Sequence, residues 1–204
     1  LYEGVTPLPE TRKDFDYTYL IEAVKSVIDA KILVIISTVL PGTIRREILP
    51  IKTVIYNPFF IAMGTTVENF LNPEFVLMGA DVHEDKLTEF YSTIHNKPHF
   101  NCTIEEAEII KISYNTYITA KICIANTIME LSHKVGNANC DTVTSALELA
   151  TDRIVSSRYM KGGMGDSGAC HPRDCIAMSW LAKELDLSYD IYEKLLECRQ
   201  EQTK

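Results

Sequence analysis

The chain has 204 residues, 46% of them hydrophobic and 24% charged, enough to bury a core in one or two modest domains and incompatible with a disordered or collagen-like chain. Twenty basic against 28 acidic residues leave a net charge of −8, which argues against a nucleic-acid partner but leaves room for a local pocket for a small phosphorylated ligand. Apolar runs such as Ile32–Ile36 and Ile122–Ala125 fall far short of the roughly 20 residues of a membrane span, and no basic-then-apolar leader opens the sequence.

Taken in chain order, the first half alternates helix and strand. Asp16 heads a segment in which Tyr19, Leu20, Ala23, Val24, Val27 and Ile28 recur at helical spacing up to Ala30. Ile32–Ile36 is a continuous β-branched run, the look of a strand covered on both faces. Ser37–Thr43 punctuates its end, and Ile44–Leu49 reads as a short helix stopped by Pro50. Thr53–Tyr56 and Phe75–Gly79 are further strands, His83–Ile94 a helix and Pro98–Cys102 an edge strand. The pattern predicts an α/β layer with a largely parallel sheet. No G-x-G-x-x-G turn precedes Asp16, so if this is a nucleotide-binding sheet, the expectation is that the chain enters it partway.

The second half reads as helical. Thr103 and Glu106 form a capping-box pattern before a stretch free of Gly and Pro up to Gly136. At 1.5 Å per residue that helix extends on the order of 48 Å. Its apolar residues wrap widely, which predicts burial from two sides and a homodimer through the helix spanning 103–135. Shorter helices are expected over Thr142–Thr151, Cys175–Leu185 and Tyr189–Arg199, broken by the glycine-rich stretch Gly162–Gly168. The predicted domains are residues 1–102 and 103–204.

Six scattered cysteines without a C-x-x-C pair exclude a disulfide scaffold and a zinc ribbon, and they predict a reducing, cytoplasmic setting. No dedicated metal site is expected. Cys170, ahead of a helix start and after several glycines, is either a thiol activated by the helix N-terminus or an ordinary small residue in a surface loop. His171 beside it does not make a protease pair, because neighbours in sequence point apart. Lys111 and Asn115 share a helix face, and Lys111 is either solvated or a desolvated amine. Thr38 stands where open α/β sheets place ligands, or it serves a structural turn. Phe59, Phe60, Ile61 and Met63 are apolar for a loop and form either core or a pocket wall.

In sequence order these segments resemble the nucleotide-sugar 6-dehydrogenases, the family of UDP-glucose, GDP-mannose and UDP-N-acetylhexosamine dehydrogenases. Val5-Thr6-Pro7 with Asp16-Tyr17-Thr18-Tyr19 is similar to the family's threonine-proline loop and helix start. Ser37-Thr38-Val39-Leu40-Pro41-Gly42-Thr43 resembles its S-T-V-x-P-G-T turn, and Asn57-Pro58-Phe59-Phe60 its N-P-E-F loop. Ala107-Glu108 with Lys111, Asn115, Lys121 and Asn126 resembles its A-E-x-x-K-x-x-x-N helix, and Gly165-x-x-Gly168-x-Cys170-x-Pro172-Arg173-Asp174 its cysteine loop.

The resemblance implies a partial Rossmann-like sheet followed by an all-α central dimerisation domain. It implies oxidation of a nucleotide sugar's C6 alcohol to the carboxylate with two NAD⁺, through a thiohemiacetal and a thioester on Cys170, in polysaccharide biosynthesis. Lys111 would stabilise the oxyanion, Asn115 donate a hydrogen bond beside it, Asp174 handle protons through water and Thr38 hold that water. Thr6, Pro7, Thr38 and Arg173 would contact NAD, with Arg173 standing where lysine is usual. Phe60, Ile61, Lys111, Asn115, Gly165 and Gly168 would contact the sugar nucleotide.

Three departures stand out. Phe59 replaces the family's catalytic glutamate and cannot move a proton. Asp166 and Ser167 alter the glycine-rich loop. The family's N-terminal cofactor half-domain and C-terminal nucleotide-binding domain have no counterpart in this sequence, so a fragment or truncated relative is expected.

Overall fold

Asp16 accepts the Thr18 N–H at 2.9 Å and so satisfies an otherwise orphaned donor at the head of α1, Thr18–Ser26. The computed structural model describes residues 6–7, 15–61, 64–82, 85–155, 176, 179 and 182–202. It divides into two compact units, Leu1–Tyr117 and Ile118–Lys204.

In the first unit, α1 turns Leu20 and Val24 inward. A four-stranded sheet follows, in the order β1 (Val34–Ile35), β2 (Ile55–Tyr56), β3 (Val76–Gly79) and β4 (His99–Cys102). The pairings β1/β2 and β3/β4 are parallel, as the helix–strand alternation predicts, whereas β2/β3 is antiparallel through Tyr56 and Gly79. The sheet is therefore mixed. The connection between β2 and β3 carries α2, Thr66–Leu71, which the periodicity does not reveal because none of its residues is buried. β4 lies at the sheet edge, as expected.

Alternation along the strands separates two cores. Ile35, Tyr56 and Leu77 face Leu20, Val24, Val39, Ile44, Ile48, Ile104 and Ala107. Ile55, Val76 and Met78 face Leu87 and Tyr91 of α3, Asp85–Ser92. The segment expected as a short helix before Pro50 is a π-helical turn, Ile44–Ile48, closed by the Leu49 N–H on the Ile44 carbonyl five residues back at 2.9 Å.

The long helix α4 runs over Ile104–Val135. Its capping box forms as read: Glu106 accepts the Thr103 N–H at 2.8 Å, and Thr103 Oγ1 accepts the Glu106 N–H at 3.3 Å. It ends where Gly136 takes φ +77°, a left-handed conformation that an L side chain rarely adopts.

In the second unit, α5 (Cys140–Glu148) is capped by Asn139, which accepts the Thr142 N–H. The last described helix is Ile191–Gln202, with Asp190 accepting the Glu193 N–H at 3.0 Å. Glu130 receives both the Ser188 N–H and hydroxyl, and Lys134 donates to the Leu185 and Asp186 carbonyls, tying the end of α4 to the 185–188 segment.

Candidate functional site

The first turns of α4 cross the sheet at close range. A Cβ on Gly79 would lie 2.6 Å from the Ala107 Cβ and 3.0 Å from the Thr103 carbonyl oxygen, so only glycine lets strand and helix approach this closely. The helix face that this contact buries carries Ile104, Ala107, Glu108 and Lys111, at the i, i+3, i+4, i+7 spacing of one stripe. Two of the four are ionisable.

Lys111 is 7% exposed, which decides between a solvated and a desolvated amine. Its Nζ donates to the Phe59 carbonyl at 2.9 Å and approaches the Asn115 Oδ1 at 3.5 Å. It also stands 5.0 Å from the centroid of the Phe60 ring, a cation–π distance. Phe60 is itself braced by Phe75 and Tyr114, with ring centroids 4.8 and 4.6 Å away. Burial holds the Lys111 amine below its ordinary value, because a low-dielectric surrounding disfavours the charged form. The arrangement presents a positioned cation whose desolvation strengthens its pull on negative charge developing nearby.

The Asn57–Ile61 loop holds these partners. Asn57, 1% exposed, donates to the Leu77 carbonyl at 2.7 Å and accepts from the Tyr91 hydroxyl. Phe59 turns its ring to Phe70, 5.4 Å away, while its carbonyl serves Lys111. Asn57, Phe59, Phe60, Ile61, Phe70 and Tyr91 are among the residues lining an apolar cleft with about 300 Å³ of space, part of it open solvent. For Phe59 and Phe60 the two alternatives both hold: Phe59 packs against the second core, Phe60 against the first, and both line the cleft with Ile61; Met63 lies outside the described residues.

Thr6 and Thr38 meet: Thr6 Oγ1 donates to the Thr38 carbonyl at 2.7 Å. Pro7 accepts the Asp16 N–H at 2.8 Å. In the turn after Thr38, the Leu40 N–H goes to the Tyr17 hydroxyl, and the Gly42 and Ile44 N–H groups go to Glu108. These three amides are spent inside the protein, so the turn does not offer them to a phosphate. Cys170, Asp174, Arg173, Gly165 and Gly168 lie outside the described residues.

His95 and His99 are four residues apart, a spacing that suits a metal only on a continuous helix. Pro98 intervenes, His99 belongs to β4, and both rings pack on Tyr91. Among the described residues no group of three or more His, Cys, Asp or Glu could hold a metal ion, and no helix is long and apolar enough to cross a membrane.

Residues 105–200 match the family model described as UDP-glucose/GDP-mannose dehydrogenase family, central domain. The UDP-glucose 6-dehydrogenase TuaD of Bacillus subtilis is 27% identical, over 97% of this chain and 45% of its own length. The UDP-glucose 6-dehydrogenase of Rhizobium meliloti is 30% identical, over 77% of this chain and 38% of its own. A crystal structure of a GDP-mannose dehydrogenase ternary complex from Pseudomonas aeruginosa superimposes with a TM-score of 0.87 at 26% identity, covering 97% of this chain and 49% of that one. Over most of its length this chain is similar to members of the UDP-glucose/GDP-mannose dehydrogenase family, and its residues 105–200 match that family's central domain. It spans about half the length, or less, of these dehydrogenases.

The match to the family's central domain begins one residue into α4 and takes in Lys111, Asn115 and the segment around Cys170. Sequence reasoning passed over Glu108, Asn57, Tyr91 and Tyr114 as contributors to this candidate site. For Glu108 a signal existed: it is four residues after Ile104 and three before Lys111, on the stripe that had to be buried.

Proposed function

We propose that this chain carries part of the machinery of an NAD-dependent nucleotide-sugar 6-dehydrogenase, which oxidises a C6 alcohol to a carboxylate. The observation that carries the reading is the buried Lys111 amine, held by the Phe59 carbonyl and the Phe60 face beside Asn115. A lysine desolvated at this cost, with no carboxylate among its hydrogen-bond partners in the described residues, suits stabilisation of an oxyanion that forms only during reaction. Asn115 turns its carboxamide oxygen toward Lys111, and in this reading it donates a hydrogen bond to the same substrate oxygen.

In this reading Cys170 is the nucleophile. Its thiolate adds to the aldehyde carbon, and the thiohemiacetal is oxidised to a thioester that water releases as the acid. Asp174 moves protons through water, and Thr38 holds that water. NAD⁺ supplies the two-electron acceptor for each oxidation. Thr6, Pro7 and Thr38 contact NAD through groups other than the turn amides, which Tyr17 and Glu108 already occupy; Arg173 supplies positive charge. Phe60, Ile61, Gly165 and Gly168 contact the sugar nucleotide. Residues 1–102 then belong to the cofactor side and 103–204 to the helical central domain.

Replacing Cys170 with Ser abolishes formation of the acid from UDP-glucose or GDP-mannose if this reading is right, and unchanged turnover refutes it. Phe59 favours a variant of the reading, because the family's glutamate is missing: the product is then aldehyde, which product analysis distinguishes from acid. A homodimer through α4 is part of the proposal, supported by the exposure of Ile124, Met129 and Val135 at 45%, 56% and 61%; a monomeric sedimentation coefficient at micromolar concentration rejects it.

A further inference from the structure

Among the described residues Glu108 is the one buried carboxylate, and both its oxygens are used on a different element. Oε2 accepts the Gly42 N–H at 2.6 Å and Oε1 the Ile44 N–H at 2.7 Å. Glu108 precedes Lys111 by three residues and Asn115 by seven, so all three lie along one helix face. The amides it grips end the segment that begins at Thr38. That segment is also held by Thr6 on the Thr38 carbonyl, and by the Tyr17 hydroxyl, which accepts from Leu40 N–H and from Thr43 Oγ1.

We propose that Glu108 is a positioning residue for the nucleotide-sugar oxidation inferred above: a two-pronged clamp that fixes the Thr38–Ile44 segment against the helix face bearing Lys111 and Asn115. The inference rests on that reading for its purpose, while the clamp itself is a physical device. A buried carboxylate costs free energy unless its lone pairs are satisfied, and two charge-assisted bonds from backbone donors compensate for burial only while the group is ionised and both donors stay in place. A rigid link of this kind sets the distance between two elements that no strand pairing joins.

Chemistry makes the device breakable in two ways. A carboxamide keeps one acceptor oxygen but turns N–H toward the second amide, so Glu108→Gln leaves one buried donor facing another. Protonation does the same. Burial pushes the Glu108 carboxyl above its ordinary value and the Ile44 and Gly42 amides pull it down, with Glu105 on its own helix raising it and Arg45 of the π-helical turn lowering it. The phenols of Tyr17 and Tyr56 and the Cys102 thiol are the further titratable groups of this core, with Tyr56 and Cys102 pushed up by burial.

The test is amide hydrogen exchange on the full chain, wild type against Glu108→Gln. The expected result is exchange at Gly42 and Ile44 faster by about tenfold or more, the loss of one buried charge-assisted bond, with the β3 amides Val76–Gly79 unchanged. Unchanged exchange at both amides, or a uniform change that includes β3, overturns the clamp. Should the variant not fold, a pH series on the wild type decides: protection at Gly42 and Ile44 falls in mild acid beyond the intrinsic rate change, and its absence overturns the proposal. Steady-state kinetics with NAD⁺ and UDP-glucose or GDP-mannose supplies the functional arm. Glu108→Gln raises KM for NAD⁺ several-fold while KM for the sugar nucleotide stays within about twofold; equal effects on both, or none, overturn the positioning role. A wild type that turns over neither sugar sinks the oxidation reading instead, and the exchange arm still decides the clamp.

Discussion

The two ends of α4 treat their side chains in opposite ways. Over its first two turns the helix buries Glu108 and Lys111 together with Ile104 and Ala107, whereas farther along it leaves Ile124, Met129 and Val135 on the surface. A charged residue is inside where bonds await it, and an apolar one is outside where nothing among the described residues covers it. Burial thus follows the neighbouring element, not the residue's hydropathy: the sheet stands against the first turns and supplies the Gly42 and Ile44 amides and the Phe59 carbonyl.

Breaking the buried end should have the largest effect. Ile104 is fully buried in the first core, and Ile104→Ala is expected to cost about 3 kcal/mol of unfolding free energy, read from the urea midpoint at unchanged m-value. Gly79→Ala follows at about 2 kcal/mol, because the new methyl meets backbone at Thr103 as well as the Ala107 side chain; relaxation without loss would show that strand and helix are not held at this separation.

Lys111 sharpens the comparison through pH. Its amine is held below the ordinary 10.5 by burial, so between that lowered value and 10.5 the unfolded chain binds more protons than the folded one, and this group's contribution makes stability rise with pH. Below the lowered value the cost of burying the charged amine is fully present. Tyr56 and Tyr91, whose phenols burial pushes up, act in the opposite direction near pH 10, so the informative quantity is the difference between wild type and Lys111→Met in urea midpoints at pH 7, 9 and 10.5. That difference should move in the wild type's favour as pH rises; a constant difference would place the amine in solvent.

Smaller effects are expected at exposed positions. Thr103→Ala removes one half of the capping box and should lower Tm by about 2–4 °C in a calorimetric scan. Met129→Gln, at the uncovered end, should change chain stability by no more than about 0.5 kcal/mol, while weakening self-association in sedimentation if α4 is the dimer interface.

Local rules made several elements legible. The Asp16 helix start, the Thr103–Glu106 box and the Gly136 stop each depend on bonds or backbone freedom within a few residues, and each is where the residues put it. The antiparallel β2/β3 step was not legible, since strand direction depends on the path of the connection and not on the strand residues. Nor was the π-helical turn, which differs from an α-helical one only in which carbonyl the Leu49 amide reaches. For the candidate site, the sequence order of the motifs named the residues and the family resemblance assigned their roles. Their surroundings came only from the fold.

The sequence by itself determined where α1 and α4 begin, which positions are apolar, and which side chains carry chemistry, because those properties reside in the residues and their near neighbours. Tertiary structure decided that Lys111 is desolvated, that Phe59 offers a carbonyl in place of a carboxylate, and that Glu108 grips two amides more than sixty residues earlier in the chain. The physical reason is that desolvation and hydrogen-bond partnership are properties of what surrounds a group, and here those surroundings arrive from distant segments brought together only when the sheet and α4 pack.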